Sequence, residues 1–321
     1  MTVKDKVLEM FETNIGENIS GEEMAKKIGV SRNAVWKAVC RLREDGYHIL
    51  SSTKNGYVFL TDNDNFSAGS IRALTATKCD IVMLDETAST NTVAKELAHG
   101  GANEATVIIA KKQSGGRGRM GRSFLSDSEN GLYMTIILRP CISVAESTCI
   151  TVIGAVATAE AIEQTSGKEC KIKWVNDIFI NDKKVCGILT EASADFESGS
   201  LDYAVIGIGV NIAPPKNGFP SEIKNIAGSV FCDVPNGYKA RLAAKIIDNF
   251  FGYYLNINNK SYIKTYRKKS NIIGKEVGVY RGTEVIYGTV IDIDNEAALV
   301  VKTDEGIRKF TSGEARVRLK K

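Results

Sequence analysis

The chain of 321 residues contains only two histidines, His48 and His99, so zinc sites built from several imidazoles are excluded. A Ser-His-Asp hydrolase would have to use one of these two residues. The seven cysteines are odd in number and include no Cys-x-x-Cys pair, which argues against a disulfide framework or a zinc ribbon. We therefore expect free thiols in a reducing compartment.

Long apolar runs are also absent. The longest uncharged helical stretch, Ser147–Ala159, is too short to cross a bilayer core of roughly 30 Å, and the charged N-terminus does not resemble a signal peptide. We expect a cytoplasmic protein with no membrane partner. With 42 Lys and Arg against 38 Asp and Glu, the net charge is only +4, so nucleic-acid binding requires a local basic patch.

The length and the pattern of apolar residues predict three domains. Residues 1–65 read as helices followed by a hairpin, and residues 68–268 as strand-like runs with interspersed helices. Residues 271–321 alternate as short strands. The predicted fold class is α+β, with a winged helix-turn-helix, a central mixed or antiparallel sheet with helices, and a small SH3-like β-barrel. The basic segment 266–271 is predicted to be an exposed linker.

The winged helix-turn-helix is predicted from helix signals that lie close together. Ser20 begins a short helix that ends at Gly29, and a second helix begins at Ser31 and ends at Gly46. Asn55-Gly56 then indicates a hairpin turn. The second helix presents polar and aromatic side chains away from its apolar stripe, where a recognition helix reads bases. The predicted DNA-binding residues are Ser31, Arg32, Asn33, Trp36 and Lys37. A solvated helix face in a protein-interaction domain is the alternative.

The central domain contains a loop of four glycines and three arginines, Gly115–Arg122, directly after a predicted strand. Glycines let backbone amides approach an anion, and arginines bind phosphate or carboxylate with fixed geometry. The spacing Gly116-x-Gly118-x-x-Gly121 matches a dinucleotide fingerprint, but no helix is predicted to follow it, so we reject that interpretation. A P-loop sequence is absent. The loop is predicted to bind an anion.

Three further segments carry polar residues at the ends of predicted elements. Thr87–Asn91 begins a helix, where the side chains either cap the helix or bind a neutral polar head group. Asn176 and Asp177 interrupt an apolar region before a hairpin that returns Lys183 and Lys184. Gly207-Ile208-Gly209 marks a strand end that another backbone or a ligand approaches closely.

Together these segments make the chain resemble the bifunctional biotin–protein ligases that also repress biotin operons. The Gly-Arg-Gly-Arg-x-Gly-Arg loop and the block Lys-Trp-x-Asn-Asp…Lys-x-x-Gly-Ile-Leu carry the resemblance, which extends over the whole chain. Two positions depart from the family pattern. Phe124 stands where the family usually has Trp, and Val175 replaces the proline before Asn-Asp. Phe124 keeps an aromatic wall, whereas Val175 is expected to free the backbone near Asn176 and Asp177.

The resemblance implies a set of site residues. The biotin site falls on Ser89, Thr90, Asn91, Gln113, Arg117, Gly118, Arg119 and Lys184. The residues near the adenylate are Arg122, Phe124, Asn176 and Asn211. Arg119, Lys184 and Asp177 are implied as catalytic residues, and no metal ligand is implied.

The resemblance also implies a two-step reaction. Biotin and ATP, with Mg²⁺, form biotinyl-5′-adenylate, and a lysine of a biotin carboxyl carrier protein then takes the biotin. Operator DNA is the second partner, and adenylate binding is expected to order a mobile arginine loop and promote a homodimer. Two alternatives remain open, a lipoate-type ligase fused to a regulator and a transcription factor that senses biotin without catalysis.

Overall fold

The computed structural model describes residues 2–14, 16–44, 47–52, 56–60, 66–194 and 201–317. Their contacts divide the chain into two compact units. The first contains Met1–Ala76 and Pro235–Lys245, and the second contains Thr77–Val234 and Ile246–Lys321. No helix in the described ranges has the length and apolar character needed to cross a membrane.

The first unit combines four short helices with a three-stranded antiparallel sheet. The elements are α1 (Val3–Glu12), β1 (Asn18–Ile19), α2 (Gly21–Ile28), α3 (Arg32–Glu44), β2 (Ile49–Ser52), β3 (Gly56–Phe59) and α4 (Ala68–Leu74). The sheet order is β1-β3-β2. The helix signals act as predicted. Ser20 accepts a hydrogen bond from the Glu23 amide at 3.0 Å, and Gly29 ends α2 with φ +79°.

Two elements of this unit were not predicted. Strand β1 pairs with β3, and Gly56 adopts φ +92°, where an added Cβ would lie 2.3 Å from the Ile19 carbonyl oxygen. Only glycine fits there, so Gly56 serves strand pairing as well as the hairpin. Helix α4 is capped by Ser67 and packs against α1, beyond the predicted domain end. The predicted helix end at Gly46, the hairpin residues 53–55 and the boundary at 61–65 lie outside the described residues.

The second unit contains a seven-stranded mixed sheet. Its strands are β4 (Asp80–Thr87), β5 (Thr106–Gln113), β6 (Gly131–Leu138), β7 (Lys171–Lys173), β8 (Asp177–Ile180), β9 (Lys183–Ala194) and β10 (Leu201–Asn211). The order is β4-β5-β6-β10-β9-β8-β7, in which only β4 and β5 pair in parallel. Its helices are α5 (Thr90–His99), α6 (Thr148–Ser166), α7 (Tyr238–Tyr254, which the unit boundary divides) and α8 (Ser261–Lys269).

The C-terminal strands form a five-stranded antiparallel sheet, in agreement with the predicted small β domain. They are β11 (Glu276–Arg281), β12 (Glu284–Ile293), β13 (Leu299–Thr303), β14 (Gly306–Phe310) and β15 (Glu314–Val317), in the order β14-β13-β12-β11-β15. They cluster with the seven-stranded sheet in one unit. The three-domain division stays a prediction.

The predicted exposed linker at 266–271 is wrong. Residues up to Lys269 belong to α8, and Tyr266 is fully buried with its hydroxyl donating to the Val175 carbonyl at 3.0 Å. Tyr262, Ile263 and Tyr266 form a buried stripe along the helix. The neighbouring basic residues concealed this short stripe in the sequence.

Candidate functional site

A polar cavity in the second unit collects the residues predicted for a neutral head group. Ser89, Thr90 and Asn91 begin α5, and Gln113 ends β5. The remaining lining residues are Arg117, Phe124, Gly187, Leu189, Gly207, Ile208 and Gly209. Ser89, Thr90, Asn91 and Gln113 are all buried, although buried polar side chains require hydrogen-bond partners. We call this cavity the head-group pocket.

Helix capping does not explain these residues. Ser89 occupies the N-cap position of α5 but makes no side-chain capping hydrogen bond. Thr90 instead donates twice to Gln113 Oε1, from its amide at 2.7 Å and from its hydroxyl at 3.0 Å. The helix start is therefore tied to the end of β5, and the polar groups are fixed around the cavity.

The two glycines of β10 make room for side chains rather than for another backbone. A Cβ at Gly207 would lie 2.1 Å from Asn91 Oδ1, and one at Gly209 would lie 2.6 Å from a ring carbon of Phe124. A close approach to these glycines was expected and is found, but the approaching groups are the side chains of Asn91 and Phe124 rather than another backbone or a ligand. Phe124 also lies against Gly187 and keeps the predicted aromatic wall.

The arginine loop is held by its own backbone. The amides of Gly115, Gly118 and Phe124 donate to the carbonyls of Ala88, Arg122 and Gly116 at 2.8, 2.7 and 2.9 Å. Arg119–Gly121 forms a single 3-10 turn rather than a helix, which agrees with the rejection of the dinucleotide fingerprint. These three amides are therefore occupied by carbonyl acceptors.

A second cavity adjoins the loop and is rich in cations. It is lined by Arg117, Gly118, Arg119, Met120, Arg122, Ser123, Phe124, Lys173, Trp174, Asn176, Asp177, Lys184, Gly187, Ile188, Leu189 and Glu314. Five of these side chains are cationic and two are acidic. We call it the cationic pocket. It shares Arg117, Phe124, Gly187 and Leu189 with the head-group pocket, so the two cavities adjoin each other.

Several of these cations already have protein partners. Arg119 donates to Asn176 Oδ1 at 3.4 Å and to the Gly313 carbonyl at 3.1 Å. Lys184 Nζ lies 2.7 Å from Asp177 Oδ1, an ion pair without good hydrogen-bond angles. Each of these two cations therefore has a protein partner that an arriving anion can replace or join.

Glu314 ties the arginine loop to β15. Its carboxylate accepts two hydrogen bonds from Arg122, at 2.6 and 3.1 Å, and one from Arg316 at 3.1 Å. Burial alone would raise the pKa of Glu314, but the two guanidinium groups outweigh it and lower the pKa to about 2. Burial lowers the pKa of both Arg119 and Lys173. Cations desolvated in this way favour an anionic ligand.

The segment that precedes Asp177 is held from three sides. Trp174 Nε1 donates to the Ala297 carbonyl at 3.0 Å, Tyr266 donates to Val175, and Asn176 Nδ2 donates to the Ile188 carbonyl at 2.9 Å. The Trp174–Val175 peptide bond is cis. The three hydrogen bonds hold the segment around Val175, and the expected local freedom of its backbone stays a prediction.

Asn211 is the one predicted ligand-site residue that lines neither cavity. Its side chain donates to the Gly228 carbonyl at 3.0 Å. The residues near the cavities that were missed from the sequence include Thr135, Lys173, Glu191 and Glu314. Lys173 opens the Lys-Trp-Val-Asn-Asp block and could have been noticed there. The other three lie within ordinary strand patterns that carry no local signal.

The first unit exposes all the residues predicted to read DNA. Ser31 begins α3 by accepting from the Ala34 amide at 3.2 Å, while Val35, Ala38, Val39 and Leu42 are buried. Trp36 is 53% exposed, which is unusual for so large an apolar side chain without a partner. Arg43 lies on the same helix, but it donates to the Ile49 carbonyl at 2.7 and 2.9 Å and so holds strand β2.

Comparisons with known proteins agree with this architecture. Residues 83–211 match the biotin/lipoate A/B protein ligase family, residues 4–58 match an HTH domain, and residues 272–318 match the biotin protein ligase C-terminal domain. The bifunctional ligase/repressor BirA of Bacillus subtilis is 34% identical over 98% of both chains. The protein of the same name from Escherichia coli is 25% identical over 94% of both chains. The biotin protein ligase of Aquifex aeolicus, solved with biotin and ATP, has a TM-score of 0.62 and 25% identity, covering 74% of this chain and 98% of that one.

Proposed function

The chain belongs to the family of bifunctional ligase/repressors, and we propose that it joins biotin to a carrier protein and represses transcription in response to biotin. It is an ATP-dependent biotin–protein ligase that forms biotinyl-5′-adenylate and transfers biotin to a lysine of a biotin carboxyl carrier protein. Its helix-turn-helix unit binds DNA. The three-domain division, at 1–65, 68–268 and 271–321, is part of the proposal.

One observation carries the ligase assignment. A pocket lined mainly by neutral groups adjoins a pocket of five cations, with Arg117 and Phe124 at the junction. Biotin has the matching order of groups, a neutral cyclic urea, an apolar ring and chain, and a terminal carboxylate. Its carboxylate would reach the junction, where it would meet the phosphates of ATP in the cationic pocket.

The first step forms the adenylate. A carboxylate oxygen of biotin attacks the α-phosphorus of ATP, and the bond to the pyrophosphate oxygen breaks. No enzyme nucleophile is required, so the task is to bring two anions together and to stabilise the charge that develops between them. We assign this task to Arg117, Arg119 and Lys184, with Arg122 beside the phosphates. Asn176 fixes Arg119 through its side-chain oxygen.

The second step transfers biotin to the carrier. The neutral amine of the acceptor lysine attacks the acyl carbon, the bond from that carbon to the phosphate oxygen of AMP breaks, and the nitrogen loses a proton to solvent as the amide forms. We assign Asp177 the role of orienting the incoming amine, because its carboxylate lines the cationic pocket next to Lys184. A carboxylate at this position would attract the cationic acceptor lysine and orient it towards the adenylate.

We propose that Mg²⁺ enters with ATP. The described residues contain no group of three or more His, Cys, Asp or Glu side chains placed to hold a metal ion. The two carboxylates of the cationic pocket, Asp177 and Glu314, are each paired with a cation. This arrangement suits a magnesium ion that is coordinated by phosphate oxygens and water.

For repression we propose that the adenylate promotes a homodimer on operator DNA. A single α3 offers few base-reading groups, namely Ser31, Arg32, Asn33, Trp36 and Lys37, and paired half-sites supply the specificity that one helix lacks. The anion of the adenylate would order the arginine loop further through Arg117 and Arg119, which lowers the entropic cost of using this loop in a dimer interface.

A coupled assay tests the proposed function. Wild-type protein, ATP, Mg²⁺ and biotin should release pyrophosphate, and addition of a carrier domain should yield carrier biotinylated at its acceptor lysine, measured by mass spectrometry. Lipoate in place of biotin should give no comparable pyrophosphate release. Preferred activation of lipoate would support a lipoate-type ligase, and binding of biotin without pyrophosphate release would support a sensor.

A further inference from the structure

Asn91, which lines the head-group pocket, connects Thr135, Glu191 and Lys95 in one polar network. Thr135 on β6 is fully buried, Glu191 lies on β9 and Lys95 on α5. Glu191 accepts from Lys95 Nζ at 2.6 Å and from Asn91 Nδ2 at 2.8 Å. Thr135 Oγ1 donates to Asn91 Oδ1 at 2.7 Å and to Thr90 Oγ1 at 2.8 Å, so two acceptors share its one proton. The network therefore runs from a surface ion pair to the pocket wall.

This network engages both ends of the Asn91 side chain. Nδ2 donates to Glu191 and to the Leu189 carbonyl, at 3.2 Å, while Oδ1 accepts from Thr135. Both partners of Nδ2 are pure acceptors, which fixes the orientation of the amide. Asn91 also fills the space above Gly207. It therefore acts as part of the pocket frame.

The polarity of the pocket follows from the same bonds. The Thr90 amide can only donate, so the atom of Gln113 that faces it is Oε1, and Nε2 remains a donor. The Thr90 hydroxyl donates to Gln113 and accepts from Thr135, which leaves it a lone pair for a ligand. The pocket thus offers an acceptor at Thr90 beside a donor at Gln113. A cyclic urea presents the complementary pair, an N–H beside a C=O.

The Glu191 carboxylate holds the Asn91 amide in its orientation by accepting a hydrogen bond from Nδ2. Burial alone would raise its pKa, but the hydrogen bonds from Lys95 and Asn91 outweigh burial and lower the pKa below its usual value. The carboxylate therefore stays ionised and accepts from Asn91 throughout the neutral range.

We infer that Thr135 and Glu191 are positioning residues that select a cyclic urea over an apolar ring, because they fix Asn91 and the hydroxyl of Thr90. The inference rests on the proposed function, since it concerns the same biotin site. An apolar ring of similar size would leave the acceptor of Thr90 and the donor of Gln113 unpaired, and unpaired buried polar groups discriminate strongly between ligands.

The test compares Thr135→Val with Thr158→Val. Both threonines are fully buried, but the Thr158 hydroxyl has no hydrogen-bond partner among the described residues. Thr135→Val should raise the KM for biotin about tenfold, the effect of losing one buried hydrogen bond. The KM for ATP, the kcat at saturating biotin and the inhibition constant of lipoate should stay within about twofold of wild type. Thr158→Val should match wild type, and Thr135→Ser should restore most of the biotin affinity.

A second pair of variants, at Glu191, tests the same inference if Thr135→Val does not fold. The Glu191 side chain is 27% exposed, so its replacement disturbs the core less. Glu191→Gln keeps an oxygen that accepts from Asn91 and should stay near wild type, whereas Glu191→Leu should raise the KM for biotin. An unchanged biotin KM in folded Glu191→Leu or Thr135→Val, or an equal rise in the KM for ATP, would overturn the inference. Failure of wild-type protein to activate biotin would instead refute the proposed function.

Discussion

Replacing Arg119 with glycine should release the reaction intermediate without unfolding the protein. Arg119 lies in a loop, and within the described ranges its side chain bonds only to two neutral acceptors, Asn176 Oδ1 at 3.4 Å and the Gly313 carbonyl at 3.1 Å. Loss of these long bonds should cost about 1 kcal/mol of folding free energy, which corresponds to a fall of about 2–4 °C in Tm.

The effect on the adenylate should be much larger. A guanidinium that binds the phosphate of the adenylate makes charge-assisted bonds of about 1.5–3 kcal/mol each, and 1.4 kcal/mol is about tenfold in affinity. Arg119→Gly should therefore speed the dissociation of biotinyl-adenylate by roughly ten- to a hundredfold. The released adenylate should then label lysines of unrelated proteins.

The assay loads the protein with adenylate and follows its loss during a chase with unlabelled biotin. Serum albumin in a parallel reaction reports non-specific biotinylation. Arg139→Gly is the matched control, because Arg139 bonds to the Ala98 and Ala102 carbonyls and lines neither pocket. This control should lose stability and keep the adenylate. Equal retention in wild type and folded Arg119→Gly would refute the role of Arg119.

Three further predictions follow from the units and their charges. The lowered pKa of Glu314 means that its ion pair stabilises the fold above a pH near 4.5 and loses this effect as the pH falls towards about 2. Glu314→Gln should therefore lower the free energy of unfolding by about 1 kcal/mol at pH 7, since Arg122 is half exposed, and by almost nothing near pH 2. Urea unfolding at the two pH values measures both losses. Equal losses would contradict the ion pair. Deletion of residues 1–76 should abolish DNA binding in gel-shift assays and leave adenylate synthesis intact. A deletion that stops at residue 65 would leave α4 without its partner α1. A folded protein that lacks residues 1–76 and makes no adenylate would contradict the separation of DNA binding from ligase activity. With biotin plus ATP, sedimentation should show tighter dimerisation and footprinting should show higher operator occupancy. Addition of unbiotinylated carrier should reverse both effects. An unchanged dimer constant and an unchanged operator affinity would argue against coupling between adenylate binding and repression.

Local signals in the sequence predicted the elements and most of the pocket. Ser20 and Gly29 bound α2 as expected, and the Gly-Arg loop lines both cavities. These features depend on residues within a few positions of each other, so spacing alone reveals them. The polar cluster at Ser89 was placed correctly too, although the competing explanation of helix capping could only be set aside from the structure.

The remaining features depend on residues far apart in the chain. Glu314 meets Arg122 across 192 positions, and the Trp174 indole meets Ala297 across 123. Thr135 lies in a strand whose eight residues are all buried, so the local sequence does not indicate that its hydroxyl bonds to the pocket residues Thr90 and Asn91. Long-range pairing of this kind is set by the fold, and it leaves no periodic signal in the sequence.

The most direct test of the account is native mass spectrometry of the protein after incubation with biotin, ATP and Mg²⁺. The account predicts that each chain carries the mass of one biotinyl-5′-adenylate, and that omission of ATP leaves at most the mass of biotin. Bound biotin without any adenylate in the complete mixture would contradict the account and indicate a sensor that does not catalyse the reaction.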